Sequence, residues 1–238
     1  MNKIIYSLIC ARGGSKGIKN KNIKNFCGKP LIHWTINQSL KNKIISKTFI
    51  STDSIKIKNI CKMLNVEIPF LRKKKLSKDK TPEWIVWQDF LNYLIQYKIK
   101  LPDILIILPV TSPLRSQTDI SNCIKQFRKN NSDILITATK AKRNPDFNMI
   151  IKKNDNFYKI ISPTSKKIHN RQDAKKVYDV CTIAYVSTPS YILKKKDMFQ
   201  GKVDMIEIPK NRSIDIDDKY DFDIAKYLFK NKIKQNVK

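Results

Sequence analysis

Glycine is almost missing from this chain: five in 238 residues, four of them between Gly13 and Gly28. A residue avoided elsewhere and gathered here marks a backbone that turns tightly or is closely approached. Histidine is scarcer still. His33, inside the helical stretch Leu31–Trp34, reads as a packing residue, and neither it nor His169 is given a role. The five cysteines (Cys10, Cys27, Cys61, Cys123, Cys181) include no C-x-x-C pair and no histidine at metal spacing. That speaks against a zinc site or a disulfide framework, and for structural thiols in a reducing, cytoplasmic setting. No apolar run is long enough to span a bilayer, which excludes a membrane protein of helical type. The short apolar start enters a basic loop at Arg12 without a cleavage site, so no secretory leader is expected. Arginine is short as well: seven residues, against 41 lysines in a net charge of +28. A charge this high invites a nucleic-acid reading. But arginine suits bidentate phosphate and base contacts, and here the excess is lysine scattered along the whole length. Weak, salt-sensitive adhesion is expected, with no specific nucleic-acid partner.

What is present is an alternation of strand and helix patterns, the signature of an α/β fold with a parallel sheet. The length suits one domain over 1–231, followed by a basic, frayed tail at 232–238. An apolar run at 4–10 predicts a first buried strand, and Pro30 opens a helix. Strands are expected at 47–52, 67–71, 103–108, 133–139, 180–187 and 203–208. Helices are expected at 55–64, from Pro82 onward, at 117–130 and at 219–231. The stripe Trp84, Trp87, Phe90 and Leu91 reads as core packing, not as a base-stacking platform. Residues 141–175 break the alternation with dense charge and scattered aromatics, an excursion from the core.

Two segments carry chemistry. Cys10-Ala-Arg-Gly-Gly-Ser-Lys-Gly17 follows the first strand, where successive small residues can aim N–H groups at an anion. Arg12, Lys16, Lys19 and Lys21 add positive charge, so a triphosphate is the natural ligand. The spacing matches neither a P-loop nor a dinucleotide motif. Near the other end, Asp215 and Asp217 alternate with Ile214 and Ile216, so an extended backbone puts both carboxylates on one face. A carboxylate pair of this kind suits Mg²⁺, which is commonly held by one or two carboxylates plus water and substrate phosphates. The competing reading is a capping cluster for the last helix, which covers Asp217, Asp218 and Asp221 but not Asp215.

The opening, Ala11-Arg-Gly-Gly-Ser-Lys-Gly17, then Lys19-Asn-Lys-Asn22, then Gly28-Lys-Pro-Leu31, closely resembles the N-acylneuraminate cytidylyltransferases and their relatives for other nonulosonic acids. Asp53, Thr111-Ser-Pro-Leu-Arg115, Arg171-Gln172-Asp173 with Tyr178, and Ser213-Ile-Asp-Ile-Asp217 are similar to family segments in the same order. The resemblance implies a Rossmann-like three-layer α/β/α sandwich of the nucleotide-diphospho-sugar transferase type, with a mostly parallel sheet and a small dimerisation excursion. It implies transfer of CMP from CTP to the anomeric hydroxyl of a nonulosonic acid, with release of pyrophosphate. Arg12 and Lys21 would be catalytic, neutralising the triphosphate and the departing pyrophosphate. Ala11, Gly13, Gly14, Ser15 and Asn22 would join them in binding CTP, Asp215 and Asp217 would hold Mg²⁺, and Arg171 and Gln172 would face the sugar. The site is expected at the C-terminal edge of the sheet, after the strands at 4–10, 47–52 and 103–108. A homodimer is implied, with Phe147, Met149, Ile150, Phe157, Tyr158 and Ile160 of the excursion covered by the partner. Arg115 is left between pairing with a carboxylate and a structural role.

The chain departs from the family on the sugar side. Pro109-Val110 stand where many members have Gln-Pro, and Val180-Cys181-Thr182 stand where many have Asn-Gly. Pseudaminic, legionaminic and Kdo-like acids therefore stay open as acceptors. So does a non-catalytic nucleotide-binding homologue, although the retained loop and aspartate pair speak against it.

Overall fold

The computed structural model describes residues 3–154, 156–162 and 170–235, with backbone only for Arg171 and 232–235. Strand β1 (Ile5–Cys10) leads through the short strands β2 (Asn25–Phe26) and β3 (Lys29–Pro30) into helix α1 (Leu31–Leu40). Then come β4 (Lys47–Ser51), α2 (Ile55–Lys62), α3 (Glu83–Gln96), β5 (Ile104–Ile107), α4 (Gln117–Lys129) and β6 (Ile134–Lys140). A hairpin, β7 (Ile150–Lys152) and β8 (Tyr158–Ile160), precedes β9 (Tyr178–Ser187), α5 (Pro189–Lys194), β10 (Val203–Glu207) and α6 (Lys219–Gln235). The main sheet has the order β10-β6-β9-β5-β1-β4 and is parallel except for β9, which runs against both its neighbours.

The two-residue period of a strand explains the layering. Ile5 and Ile9 of β1, with Ile104 and Ile106 of β5, join Ile32, Ile36, Ile57, Ile120 and Phe222 from α1, α2, α4 and α6 in one core. Tyr6, Leu8, Leu105 and Ile107 face the opposite way, onto Trp84, Trp87, Phe90 and Leu91 of α3 and Ile192 of α5. The result is the expected three-layer α/β/α arrangement. Each large apolar side chain removed from water in these layers contributes about 1.5–3 kcal/mol. The tryptophan stripe is core, as its spacing predicts. Among the described residues, no helix is long and apolar enough to cross a membrane.

Three expectations need correction. The strand expected at 67–71 is reduced to two isolated bridges, Phe49 to Glu67 and Thr52 to Leu71, because the chain only skims the outer edge of β4. The segment carrying Asp215 and Asp217 is irregular and not a sheet strand. It docks through Ile216, whose N–H reaches the carbonyl of Thr111 at 2.9 Å. The last helix runs on to Gln235, past the expected end at 231; residues 236–238 of the expected tail lie outside the described residues. The β7–β8 hairpin forms a separate two-stranded sheet within the excursion, as its break in pattern suggests. Residues 155 and 163–169 of that excursion, His169 included, lie outside the described residues.

Candidate active site

The loops after β1 and β5 and the 211–218 segment meet at the C-terminal edge of the sheet around a cavity of about 610 Å³. Arg12, Ser15, Lys21, Asn22, Asp215 and Asp217 all line it. The structure therefore brings together predicted residues that lie some 200 positions apart in the chain.

Internal bonds hold the glycine-rich loop. Ala11 is buried and its N–H reaches Ser51 O at 2.9 Å. Gly13 N–H donates to Asp53 Oδ1 at 2.9 Å, so that group is engaged by the protein itself. Asn22 is buried and its side-chain amide donates to Arg12 O at 2.9 Å, fixing the loop's return. The glycines have separate reasons. Gly28 takes φ +92° in the β2–β3 turn, which favours glycine. Gly17 meets the aspartate segment: a Cβ there would stand 2.2 Å from Asp217 O. Around Gly14 nothing lies within 4 Å of the Cβ position. Close packing between two distant segments accounts for Gly17; an anion cradle alone does not.

Asp215 and Asp217 differ. Asp217 is open to solvent, with 81% of its side chain accessible, and its carboxylate lies 3.6 Å from Lys21 Nζ. Lys21, in turn, is largely enclosed and donates to Ile216 O. Asp215 Oδ1 is buried with no hydrogen-bond partner. Burial pushes its carboxyl above the ordinary range and Asp217 adds to this, while Thr111, Thr182 and Lys21 oppose it. The capping role predicted for this cluster falls on Asp218 and Asp221. Asp221 N–H reaches Asp218 Oδ1 at 3.0 Å, while Asp221 Oδ2 accepts from Asp217 N and Asp218 N at 3.1 and 3.2 Å. Asp217 thus gives the cap only its backbone, and its carboxylate stays on the cavity. Among the described residues, no three His, Cys, Asp or Glu side chains gather into a metal site. The Asp215–Asp217 pair fits a cation whose remaining ligands come from phosphate and water.

Thr182 reaches the site because β9 bulges where it pairs with β6. The Thr137 hydroxyl fills the bulge, bonding Cys181 O at 2.6 Å. Thr182 then meets Ser112 at 2.8 Å beside Asp215. Arg115 proves structural. Its buried guanidinium donates to Ile183 O, to Pro109 O at 2.7 Å and to Gln38 Oε1 at 3.0 Å, tying the loop after β5 to β9. Burial brings its pKa down to about 10. Burial also raises all five thiols, which keeps them protonated and matches their structural reading.

Three further residues that line the cavity were not predicted. Arg72 is buried on the cavity, its N–H held by Thr52 O at 2.8 Å and its guanidinium 4.0 Å from Asp53. Glu83, the first residue of α3, is reached by solvent from the cavity yet surrounded by protein, and this desolvation pushes its carboxyl up. Asp79 bonds Arg12 at 2.6 Å and Lys16 at 2.7 Å. Scarcity was the available signal: Arg72 is one of only seven arginines, and Asp79 is the one acid in the basic run 72–81.

The sugar-side candidates are elsewhere. Gln172 lines a second cavity of about 760 Å³, with Lys140, Arg143, Lys175 and Lys176. The Arg171 side chain lies outside the described residues. One chain does not bring Gln172 to the first cavity.

Residues 6–236 match the family model described as Cytidylyltransferase. The post-translational flagellin modification protein B of Campylobacter coli is 34% identical over 96% of this chain and 96% of that one. A CMP-N,N'-diacetyllegionaminic acid synthase of Campylobacter jejuni is 33% identical over 94% of each. The solved structure of a CMP:2-keto-3-deoxy-manno-octonic acid synthetase complexed with CTP has a TM-score of 0.69, covering 96% of this chain and 99% of that one at 13% identity, which shows a shared fold. A match that runs from β1 into α6, and so spans both the glycine-rich loop and the aspartate pair, means that this chain belongs to the cytidylyltransferase family.

Proposed function

We propose that this enzyme, a nucleotidyltransferase, joins CMP from CTP to the anomeric hydroxyl of a nonulosonic acid, first of all one of the legionaminic type. The observation that carries the reading is that one cavity gathers Arg12, Lys16, Lys21 and Arg72 with an aspartate pair that has one buried, unpartnered oxygen. A legionaminic-type acceptor is supported by the 33% identical relative named for that sugar. The Pro109-Val110 and Val180–Thr182 departures fall on the sugar side and do not select among the acids.

In this reading Arg12, Lys16 and Lys21 neutralise the triphosphate, and Arg72 lines the nucleotide side. Ser15 and Asn22 shape the loop around it. The hydroxyl oxygen attacks the α-phosphorus in line, and the bond to the pyrophosphate breaks. The chain's contribution is positioning and charge stabilisation. Asp215 and Asp217 would hold Mg²⁺, which supplies charge neutralisation at the phosphate oxygens and acidifies the attacking hydroxyl. Gln172 and Arg171 would serve the sugar of a partner subunit in a two-fold dimer. Support for the dimer comes from the hairpin, where Met149, Ile150, Phe157 and Tyr158 are all exposed. Unbonded thiols and dependence on CTP fit a cytoplasmic setting.

The test is pyrophosphate release with CTP, Mg²⁺ and a panel of legionaminic, pseudaminic, neuraminic and Kdo-type acids. Turnover with legionaminic-type acids above the others is expected, with UTP, ATP and GTP poor substitutes. Equal turnover with UTP would move the protein to another branch of sugar nucleotidyltransferases, and a preference for neuraminate would overturn the acceptor.

A further inference from the structure

The loop between Arg72 and α3 carries five lysines and one acid, Asp79. Its ends are fixed, by Arg72 N–H on Thr52 O at one side and by the start of α3 at the other. Between them its hydrogen bonds run within the loop, from Leu76 to Lys73 and from Thr81 to Lys75 and Lys78. Asp79 reaches out of it. One carboxylate oxygen lies 2.6 Å from Arg12 Nη1 and the other 2.7 Å from Lys16 Nζ. Lys16, and with it Arg12, holds that carboxyl below the ordinary range. Each oxygen thus meets one cation of the glycine-rich loop, the arrangement that two phosphate oxygens would take. Asp79 is more than a third exposed, so nothing in the core holds it there.

We propose that Asp79 is a resident counter-anion that competes with the two departing phosphates of CTP for Arg12 and Lys16. The proposal rests on the reading that those cations meet the triphosphate. A more highly charged triphosphate displaces the single carboxylate. Once pyrophosphate has formed, Asp79 recaptures both cations and drives it off. The residue lowers affinity at both ends of the cycle and so limits product inhibition. Asp79 also couples occupancy of the phosphate site to release of the lysine-rich loop from the glycine-rich loop.

The test is calorimetric titration of the full chain and of Asp79→Asn with CTP, inorganic pyrophosphate and CMP. Asp79→Ser guards against an asparagine that keeps the same hydrogen bonds. Exposed ion pairs are weak, so CTP and pyrophosphate should bind about three- to tenfold tighter to the variants. CMP should bind unchanged, and steady-state inhibition by pyrophosphate should deepen. Unchanged or weaker binding of CTP and pyrophosphate by both variants would overturn the proposal. So would an equal gain for CMP, which would make the effect a general change of field. If the unsubstituted chain bound neither CTP nor pyrophosphate, the phosphate reading would fail first and the proposal with it.

Discussion

The two cavities contrast in charge. The first sets Arg12, Lys16, Lys21 and Arg72 against Asp79, Glu83, Asp215 and Asp217, and much of that charge is already paired or bonded within the chain. In the second, Lys140, Arg143, Lys175 and Lys176 line the walls with no acidic residue among the described ones. Like charges around one hollow repel, which is a cost unless an anion or another chain completes the site. The first cavity is built within a single chain by the sheet edge, while the second lies at the root of an excursion that leaves its apolar hairpin open. Reaction chemistry is thus separable from completion of the substrate pocket.

The sharpest break in that comparison comes from Asp215→Asn and Asp217→Asn. Losing one carboxylate should lower turnover by about 100- to 1000-fold, as for other groups that stabilise developing charge. Stability should move the other way at Asp215. An acid whose folded pKa is raised binds its proton more tightly when folded, so its ionisation opposes folding as pH rises past the unfolded value. Without divalent ions at neutral pH, the melting temperature of Asp215→Asn should equal or exceed that of the parent. A lower melting temperature of Asp215→Asn with retained rate would make Asp215 a structural residue and not a metal ligand.

Replacing 148–168 by a short glycine linker tests the second cavity. The expected product is a monomer by sedimentation that still binds CTP but has lost about a hundredfold in turnover through misplaced substrate. A full-length chain that is monomeric at micromolar concentration and fully active would erase the contrast.

Gly17→Ala should cost about tenfold or more in rate, because the new methyl must push Asp217 O away from 2.2 Å. A raised Mg²⁺ requirement is the diagnostic readout. A smaller effect is expected at Arg212, whose guanidinium grips Asp119 through two bonds of 2.8 and 2.9 Å just before the aspartate segment. Burial pushes the Asp119 carboxyl up, but the bonds from Arg212 and Ser116 outweigh it and the net shift is downward. That stability is present above the unfolded pKa and lost as pH falls through the lower folded one. Arg212→Gln should therefore cost about 1–3 kcal/mol near neutrality. In urea titrations the difference should shrink once the pH falls below the carboxylate range.

Periodicity made the layers legible. The continuous apolar runs of β1 and β5 fit strands covered on both faces, and the Trp84–Leu91 stripe fits one face of a helix. The loop and the aspartate pair were also legible, because glycine is so rare here and because isoleucine alternates with aspartate. Three further cavity residues were not. Arg72, Asp79 and Glu83 lie among lysines with no period, so only their rarity marked them. Nor could the sequence show that Gly13 N–H serves Asp53, or that Gly17 makes room for Asp217 O.

By itself the sequence determined the α/β class, the two segments that carry the chemistry and the family to which they belong. Each of these follows from local spacing, which a chain carries before it folds. Tertiary structure alone decided that β9 runs antiparallel and bulges Thr182 toward Asp215. It likewise decided that Arg115 is locked on carbonyls, that Asp79 sits on the loop cations, and that Gln172 falls outside the first cavity. These depend on which distant backbones meet, and such meetings are settled by packing of whole layers, to which no short stretch of sequence is a guide.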